Sequence, residues 1–242
     1  MENNLTNRNY WIEYWKNYSY KPIPKKTFFD KCIPITSENN RTKTFIEIGG
    51  FPGLMSIYFY KKYHYKTSLL DFYIDKDIIN KLEEINQIPK NSIKLIEYDF
   101  FLYKSNVKFD LVFSLGFIEH FNNTYDVIKR HVDIVANNGS LLIILPNFKG
   151  LNGWIQKKFD KDNYYAHNLD SMEIANLKKI IEKLQLKNTK IEYTAKPMLW
   201  LANNNTNNNF IRSGVRLLSF FLKLIPIKCK FLSPYIIISA TK

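Results

Sequence analysis

The stretch Phe45-Ile46-Glu47-Ile48-Gly49-Gly50-Phe51-Pro52-Gly53 constrains this chain more than any other. A short apolar run that ends in glycines and leads into a helical pattern reads as a buried strand turning tightly into a helix. Glycine lets the backbone come close to a ligand, and the first turn of a helix presents N–H groups that lack intrahelical partners. A plain strand-to-helix connection uses the same residues, so the glycines alone leave both readings open.

The rest of the chain repeats this unit. Apolar runs near 43–48, 66–71, 93–98, 109–115 and 139–145 alternate with helical patterns near 53–63, 75–86 and 123–136. The last helix is expected to stop at Asn137-Asn138-Gly139, a left-handed turn signal. Alternation of this kind builds a mainly parallel sheet with helices on both faces. Residues 147–169 read as a polar, aromatic-rich loop, after which Asp170-Ser171-Met172-Glu173 offers cap residues for a helix through Leu184. Strands are expected at 188–195 and 233–240, separated by a basic amphipathic helix from Arg212 to Leu224.

Residues 1–40 are expected to form an extension. Tyr10, Trp11, Tyr14, Trp15 and Tyr18 repeat at helical spacing, and Lys21-Pro22-Ile23-Pro24 then breaks the helix. Residues 41–242 read as one domain with insertions near 147–169 and 197–232. Within the second insertion the asparagine-rich tract 203–209 is expected to be a mobile loop, since its side chains compete for backbone hydrogen bonds.

Two acidic positions sharpen the glycine signal. Asp71 ends the second expected strand, where a nucleoside-binding sheet places the carboxylate that grips ribose hydroxyls. Asp99-Phe100 ends the third, where a carboxylate can accept from an adenine amine and an aromatic ring can cover the base. Each acid also serves as an ordinary turn or capping residue when taken singly. Together with the glycine turn they fall at the carboxyl ends of successive strands, where open α/β sheets bind ligands.

With these residues in view, the segment 42–148 resembles the class I S-adenosylmethionine-dependent methyltransferases of small-molecule type. Glu47-Ile48-Gly49-Gly50-Phe51-Pro52-Gly53 resembles their acidic-x-Gly-x-Gly-x-Gly motif, with Phe51 in place of the middle glycine. Phe109 to Phe121 resembles their fourth strand and the acceptor-facing segment after it, and Gly139 to Asn147 their fifth strand. The resemblance implies an α/β fold: a Rossmann-like, doubly wound, seven-stranded and mostly parallel sheet with an antiparallel last strand, plus an amino-terminal helix and a carboxy-terminal insertion. It implies S-adenosyl-L-methionine as cofactor, S-adenosyl-L-homocysteine as product, and cofactor contacts from Glu47, Gly49, Gly50, Gly53, Asp71, Asp99, Phe100 and Ser114. His120 is the candidate catalytic base, with capping of the next helix as the competing reading. Tyr10, Trp11, Glu119, Asn147, Trp154, Tyr164, Tyr165 and His167 are candidate acceptor contacts, and core packing is the competing role for the aromatics. Residues 146–154 are similar to bacterial methyltransferases of surface-polysaccharide biosynthesis. That likeness implies a nucleotide-linked sugar or another capsule or lipopolysaccharide precursor as acceptor. The alternative is a nucleoside-binding or membrane-associated module without catalysis.

Charge narrows the partners. The net charge of +13 comes from 35 Lys and Arg spread along the chain without clustering, so a generic basic surface is expected rather than a nucleic-acid footprint. Such a surface suits a phosphorylated acceptor, and the basic 212–224 segment leaves peripheral membrane contact open. Apolar runs such as 141–145 fall far short of a bilayer span, and the polar amino terminus lacks a signal-peptide pattern, so a cytoplasmic location is expected. Cys32 and Cys229 lack the spacing of zinc ligands, and adjacent Glu119-His120 alone does not make a metal centre, so none is expected.

Overall fold

The computed structural model describes residues 5–16, 18–33, 41–201 and 209–242. An amino-terminal helix α1 (Arg8–Trp15) precedes the alternating core of β1 (Thr44–Ile48), α2 (Leu54–Tyr63), β2 (Lys66–Asp71), α3 (Lys76–Ile85), β3 (Lys94–Glu97), β4 (Phe109–Leu115), α4 (Thr124–Asp133) and β5 (Val135–Pro146). There follow α5 (Leu151–Phe159), α6 (Lys161–Tyr165), α7 (Ile174–Lys183), β6 (Lys187–Thr194), α8 (Asn209–Leu222) and β7 (Tyr235–Thr241). The seven strands form one sheet in the order β3-β2-β1-β4-β5-β7-β6, and β7 runs antiparallel to both of its neighbours. This is the Rossmann-like arrangement expected from the sequence.

Strand alternation sorts the core into two layers. Ile46, Ile48, Val112, Leu141, Ile143 and Leu145 face a cluster that contains Val127 and Ile128 of α4 and Leu177 and Ile181 of α7. Phe45, Leu111, Phe113, Leu142 and Ile144 face the other way, onto Tyr58 and Phe59 of α2. Leu69 lies with Ile57, Ile78, Ile79 and Leu82, which seats α3 beside α2. Buried on both faces, the central strands read in the sequence as continuous apolar runs. Local chemistry marks the helix starts: the Asp75 side chain accepts from the Asp77 and Ile78 amides to open α3, and the Asn123 side chain accepts from the Asp126 amide to open α4.

Several expectations are corrected. Helix α4 ends at Asp133, and Asn137-Asn138-Gly139 lies inside β5. There Asn138 takes φ 61°, and the pairing with β4 slips between Phe109↔Val135 and Leu111↔Ser140, so the Asn-Gly signal makes a bulge rather than a helix stop. The expected 147–169 loop contains α5 and α6. Asp170 to Met172 fall in a 3₁₀ turn (Leu169–Met172) capped by the Asn168 side chain, and Glu173 opens α7 without a side-chain cap. Helix α8 is thinly packed: Val215 and Ser219 are buried, whereas Phe210, Leu217, Leu218, Phe220 and Phe221 are exposed. The tract 203–208 lies outside the described residues, and Asn209 begins α8. Among the described residues no helix is long and apolar enough to cross a membrane.

Candidate functional site

Strand order reverses between β1 and β4, and the crevice at a reversal, above the carboxyl ends of the strands, is where such sheets bind ligands. A cavity of about 540 Å³ occupies that position. Its walls include Gly49, Gly50, Asp71, Asp99, Phe117 and His120, drawn from the turns after β1, β2, β3 and β4.

The glycine turn forms one wall. Gly49 sits at φ 62°, donates its amide to the Leu70 carbonyl at 2.8 Å, and leaves no room for a Cβ, which would overlap the Phe117 ring. Gly53, at φ 86°, is the residue from which α2 starts and lies behind the wall rather than in it. Glu47 is buried and pins the first turn of α2 by accepting from the Ser56 amide at 2.7 Å and the Ser56 hydroxyl at 2.6 Å. Burial outweighs those bonds and pushes its carboxyl up to about 8. Phe51, which stands where the resembling motif has glycine, packs its ring against Trp15 and Tyr73.

Asp71 closes β2 beneath this turn. Its Oδ2 accepts from the Phe51 amide at 2.9 Å, and its Oδ1 accepts from the Phe72 and Tyr73 amides at 2.7 and 3.3 Å. The carboxylate therefore ties the glycine turn to β2 while facing the cavity. Burial raises it to about 6 against the lowering pull of the three amides. Asp99 accepts from the Phe101 amide at 2.8 Å, and Phe100 packs edge-on to Phe117, so both reach the same cavity. Ser114 does not. Its side chain lies on the α4 face of β4, fully buried, with its hydroxyl 3.2 Å from His131 Nε2. Strand alternation decides this, because Leu115 and Gly116 are the β4-end residues that open onto the crevice.

Helix α1 covers the cavity, with Tyr10, Trp11, Tyr14 and Trp15 in its wall. Three strand ends hold the helix in place: the Leu5 amide donates to the His120 carbonyl at 2.8 Å, and Arg8 donates to the Phe72 carbonyl at 3.3 Å and to Glu97 at 3.0 Å. Trp11 meets the His120 ring edge-on at 5.2 Å.

Beneath Trp11 lie Glu119, His120 and His167, with one ligating atom of each within 4.8 Å of the others. The sequence pairs the first two as neighbours and offers His167 only as a separate acceptor candidate. Asn168 brings it in: its amide donates to the Glu119 carbonyl at 2.6 Å and its side chain to the Phe121 carbonyl at 2.9 Å. His120 does not cap α4, since Asn123 does; its Nδ1 lies 2.9 Å from the Ala166 carbonyl oxygen. Burial pushes His120 down to about 3, helped by His167, and pushes His167 down to about 4. Burial also lifts Glu119 to about 8.

The remaining expected acceptor contacts fall outside the wall. Asn147 is a buried clamp whose side-chain amide donates to the Lys230 and Ser233 carbonyls at 2.7 and 2.8 Å. Tyr164 stacks on Phe148, while Tyr165 and Trp154 are exposed on the helices that replaced the expected loop. Conversely, Phe117, Asn163, Trp200 and Tyr235 line the cavity without having been singled out. The spacing of Trp15 from Trp11 by one helical turn could have placed it on the same face; nothing local marks Trp200, which arrives from a distant segment.

No family model matches the chain, and no curated protein matches it in sequence. Among solved structures, a SAM-dependent methyltransferase from Archaeoglobus fulgidus is 16% identical with a TM-score of 0.56, the match covering 88% of this chain and 91% of that one. A SAM-dependent methyltransferase from Thermotoga maritima is 13% identical with a TM-score of 0.54, covering 88% and 84%. Phosphoethanolamine N-methyltransferase 2 of Haemonchus contortus, in complex with S-adenosyl-L-methionine, is 14% identical with a TM-score of 0.60, covering 89% of this chain and 51% of that one. The fold of this chain is therefore that of the SAM-dependent methyltransferases.

Proposed function

We propose that this chain is an S-adenosylmethionine-dependent methyltransferase acting on a small polar acceptor. One observation carries the reading: the Gly49 turn, Asp71 and Asp99, from three successive strand ends, meet around a single cavity in a methyltransferase fold. The residues present fit the cofactor. Gly49 and Gly50 line the cavity without a side chain, which suits close backbone approach, and a cavity of about 540 Å³ lies in the range of small-molecule sites.

In this reading Asp71 accepts from the ribose hydroxyls, Asp99 accepts from the adenine amine, and Phe100 contributes an apolar wall. Gly49 and Gly50 lend backbone to the amino-acid portion, Glu47 reaches the cavity while pinning the first turn of α2, and Gly53 holds the turn from behind. Bound there, S-adenosyl-L-methionine supplies a methyl group already activated by its sulfonium, so aligning the acceptor accounts for much of the rate. Tyr10 and Trp11 exclude water from above. His120 stays neutral, because a buried imidazole held near 3 is a poor proton acceptor; its part is to orient the acceptor alongside Glu119 and His167.

The acceptor proposed is a hydroxyl or nitrogen of a nucleotide-linked sugar or another capsule or lipopolysaccharide precursor. The likeness of residues 146–154 to polysaccharide-associated methyltransferases supports it, and the net charge of +13 suits a phosphorylated molecule. The Haemonchus contortus enzyme has also been solved with phosphomonomethylethanolamine and S-adenosylhomocysteine, which supports a phosphorylated acceptor here as well. The test is calorimetric titration with S-adenosylhomocysteine, followed by transfer of labelled methyl to a panel of nucleotide sugars and phosphorylated amines. Saturable, micromolar-range binding and one labelled product are expected; absence of binding rejects the reading.

A second reading, peripheral membrane association, draws on the exposed Leu217, Phe220 and Phe221 of α8 beside Arg216 and Lys223. Co-sedimentation with anionic vesicles, lost when Phe220 and Phe221 are both changed to Ser, is the expected result. Equal recovery of both proteins in the supernatant rejects it.

A further inference from the structure

We propose that Glu119, His120 and His167 form a binding site for one divalent transition-metal ion at the acceptor end of the cavity. Two imidazoles and one carboxylate converge there, each offering a ligating atom within 4.8 Å of the others, and all three side chains line the cavity. The ion would therefore meet protein on one side and keep positions facing the acceptor on the other, as catalytic metal sites do.

Two further observations point to a ligand rather than to a self-contained hydrogen-bond cluster. Glu119 Oε2 is buried and has no hydrogen-bond partner among the described residues, so the cluster holds a carboxyl oxygen whose desolvation no hydrogen bond offsets. Each histidine uses Nδ1 on a backbone carbonyl, His120 at 2.9 Å from Ala166 and His167 at 2.5 Å from Asn163. An Nδ1–H bonded to a carbonyl fixes the tautomer and leaves the Nε2 lone pair for a metal, the usual outer support of ligating histidines.

Donor chemistry selects the ion. Imidazole with carboxylate suits zinc, cobalt, iron or manganese better than magnesium or calcium, which favour all-oxygen shells. With metal–ligand bonds near 2.0–2.2 Å, a tetrahedral ion sets its ligands about 3.4 Å apart. The three side chains would thus close inward slightly on binding. The placement is tertiary: His167 lies 47 positions after His120 and arrives only because Asn168 grips the β4 turn. Metal binding stands independently of the methyltransferase reading, whereas any use of the ion in holding an acceptor oxygen or nitrogen rests on it.

The test uses the full chain, freed of metal with a chelator and then titrated with Zn²⁺ by calorimetry and with Co²⁺ by visible absorption, with no cofactor or acceptor present. One equivalent is expected to bind with a dissociation constant in the micromolar range or tighter, with Co²⁺ bands of nitrogen and oxygen ligation. Glu119→Gln and His167→Gln are expected to weaken binding at least about 10- to 100-fold. His64→Ala and Cys229→Ser, at positions outside the cluster, are expected to bind like the wild type. Absence of binding, thiolate-type Co²⁺ bands, or wild-type affinity in both cluster variants overturns the proposal. If the cluster variants do not fold, anomalous diffraction at the zinc edge from wild-type crystals decides it. An ion between the three side chains supports the site, and an ion elsewhere or none overturns it. S-adenosylhomocysteine binding, measured separately, keeps failure of this site distinct from failure of the proposed function.

Discussion

Changing Asp71 to Ala is expected to weaken S-adenosylmethionine binding by about 1.5–3 kcal/mol, roughly 10- to 150-fold, the worth of charge-assisted hydrogen bonds lost from one carboxylate. The upper end is favoured by geometry. Asp71 would grip the ribose and also accepts from the Phe51, Phe72 and Tyr73 amides, so its removal loosens the glycine turn. Asp71→Asn keeps one acceptor oxygen and is expected to lose less. In the wild type, affinity is expected to fall as the pH drops through about 6, where the buried carboxylate takes up a proton and loses its charge. Calorimetry across pH 5 to 8 checks both statements. Unchanged affinity in Asp71→Ala would falsify the ribose assignment.

Changing His120 to Ala is expected to lower kcat about 10²-fold with cofactor affinity nearly unchanged. Loss of an orienting side chain misplaces the acceptor, and misplacement on the order of 1 Å is enough for a change of that size. The proposed cofactor contacts Gly49, Asp71 and Asp99 lie on other turns, and the amino-terminal helix keeps its tie, because Leu5 donates to the His120 backbone carbonyl. The pH profile separates orientation from base catalysis. With the imidazole held near 3, wild-type kcat at saturating cofactor is expected to show no fall centred near 6.5. A fall there, abolished in His120→Ala, would restore the histidine as general base.

Much of the cofactor side was legible from local chemistry. Glycines at 49, 50 and 53, an acid ending β2 and another just after β3 are features of consecutive strand ends, and strand ends are marked by where apolar runs stop. Ser114 was misplaced for a reason the same pattern contains. It alternates with Leu115, so one position decides whether a side chain faces α4 or the crevice. The acceptor side was much less legible. Of the acceptor candidates, Tyr10, Trp11, Glu119, His120 and His167 line the cavity; Asn147, Tyr164 and Tyr165 were assigned to it because the 147–169 segment read as an open loop, and they lie outside its wall. That segment folds into two helices, which turn Tyr165 to solvent and Tyr164 onto Phe148.

Hydrophobic periodicity was enough, by itself, to determine the α/β alternation and the seven strands, because strand and helix periods and backbone constraints act over a few neighbouring residues, and the motif resemblance added the line of cofactor candidates. Only the tertiary structure decided that α1 roofs the cavity, that Asn-Gly in 137–139 becomes a bulge, and that Glu119, His120 and His167 form one cluster. These depend on contacts between residues far apart in the chain, such as Arg8 with Glu97 and Asn168 with Phe121, which no local pattern encodes. The pKa values follow the same division. A sequence supplies a histidine or a glutamate with its ordinary value, and only the packing around it sets the desolvation that moves His120 to about 3 and Glu119 to about 8.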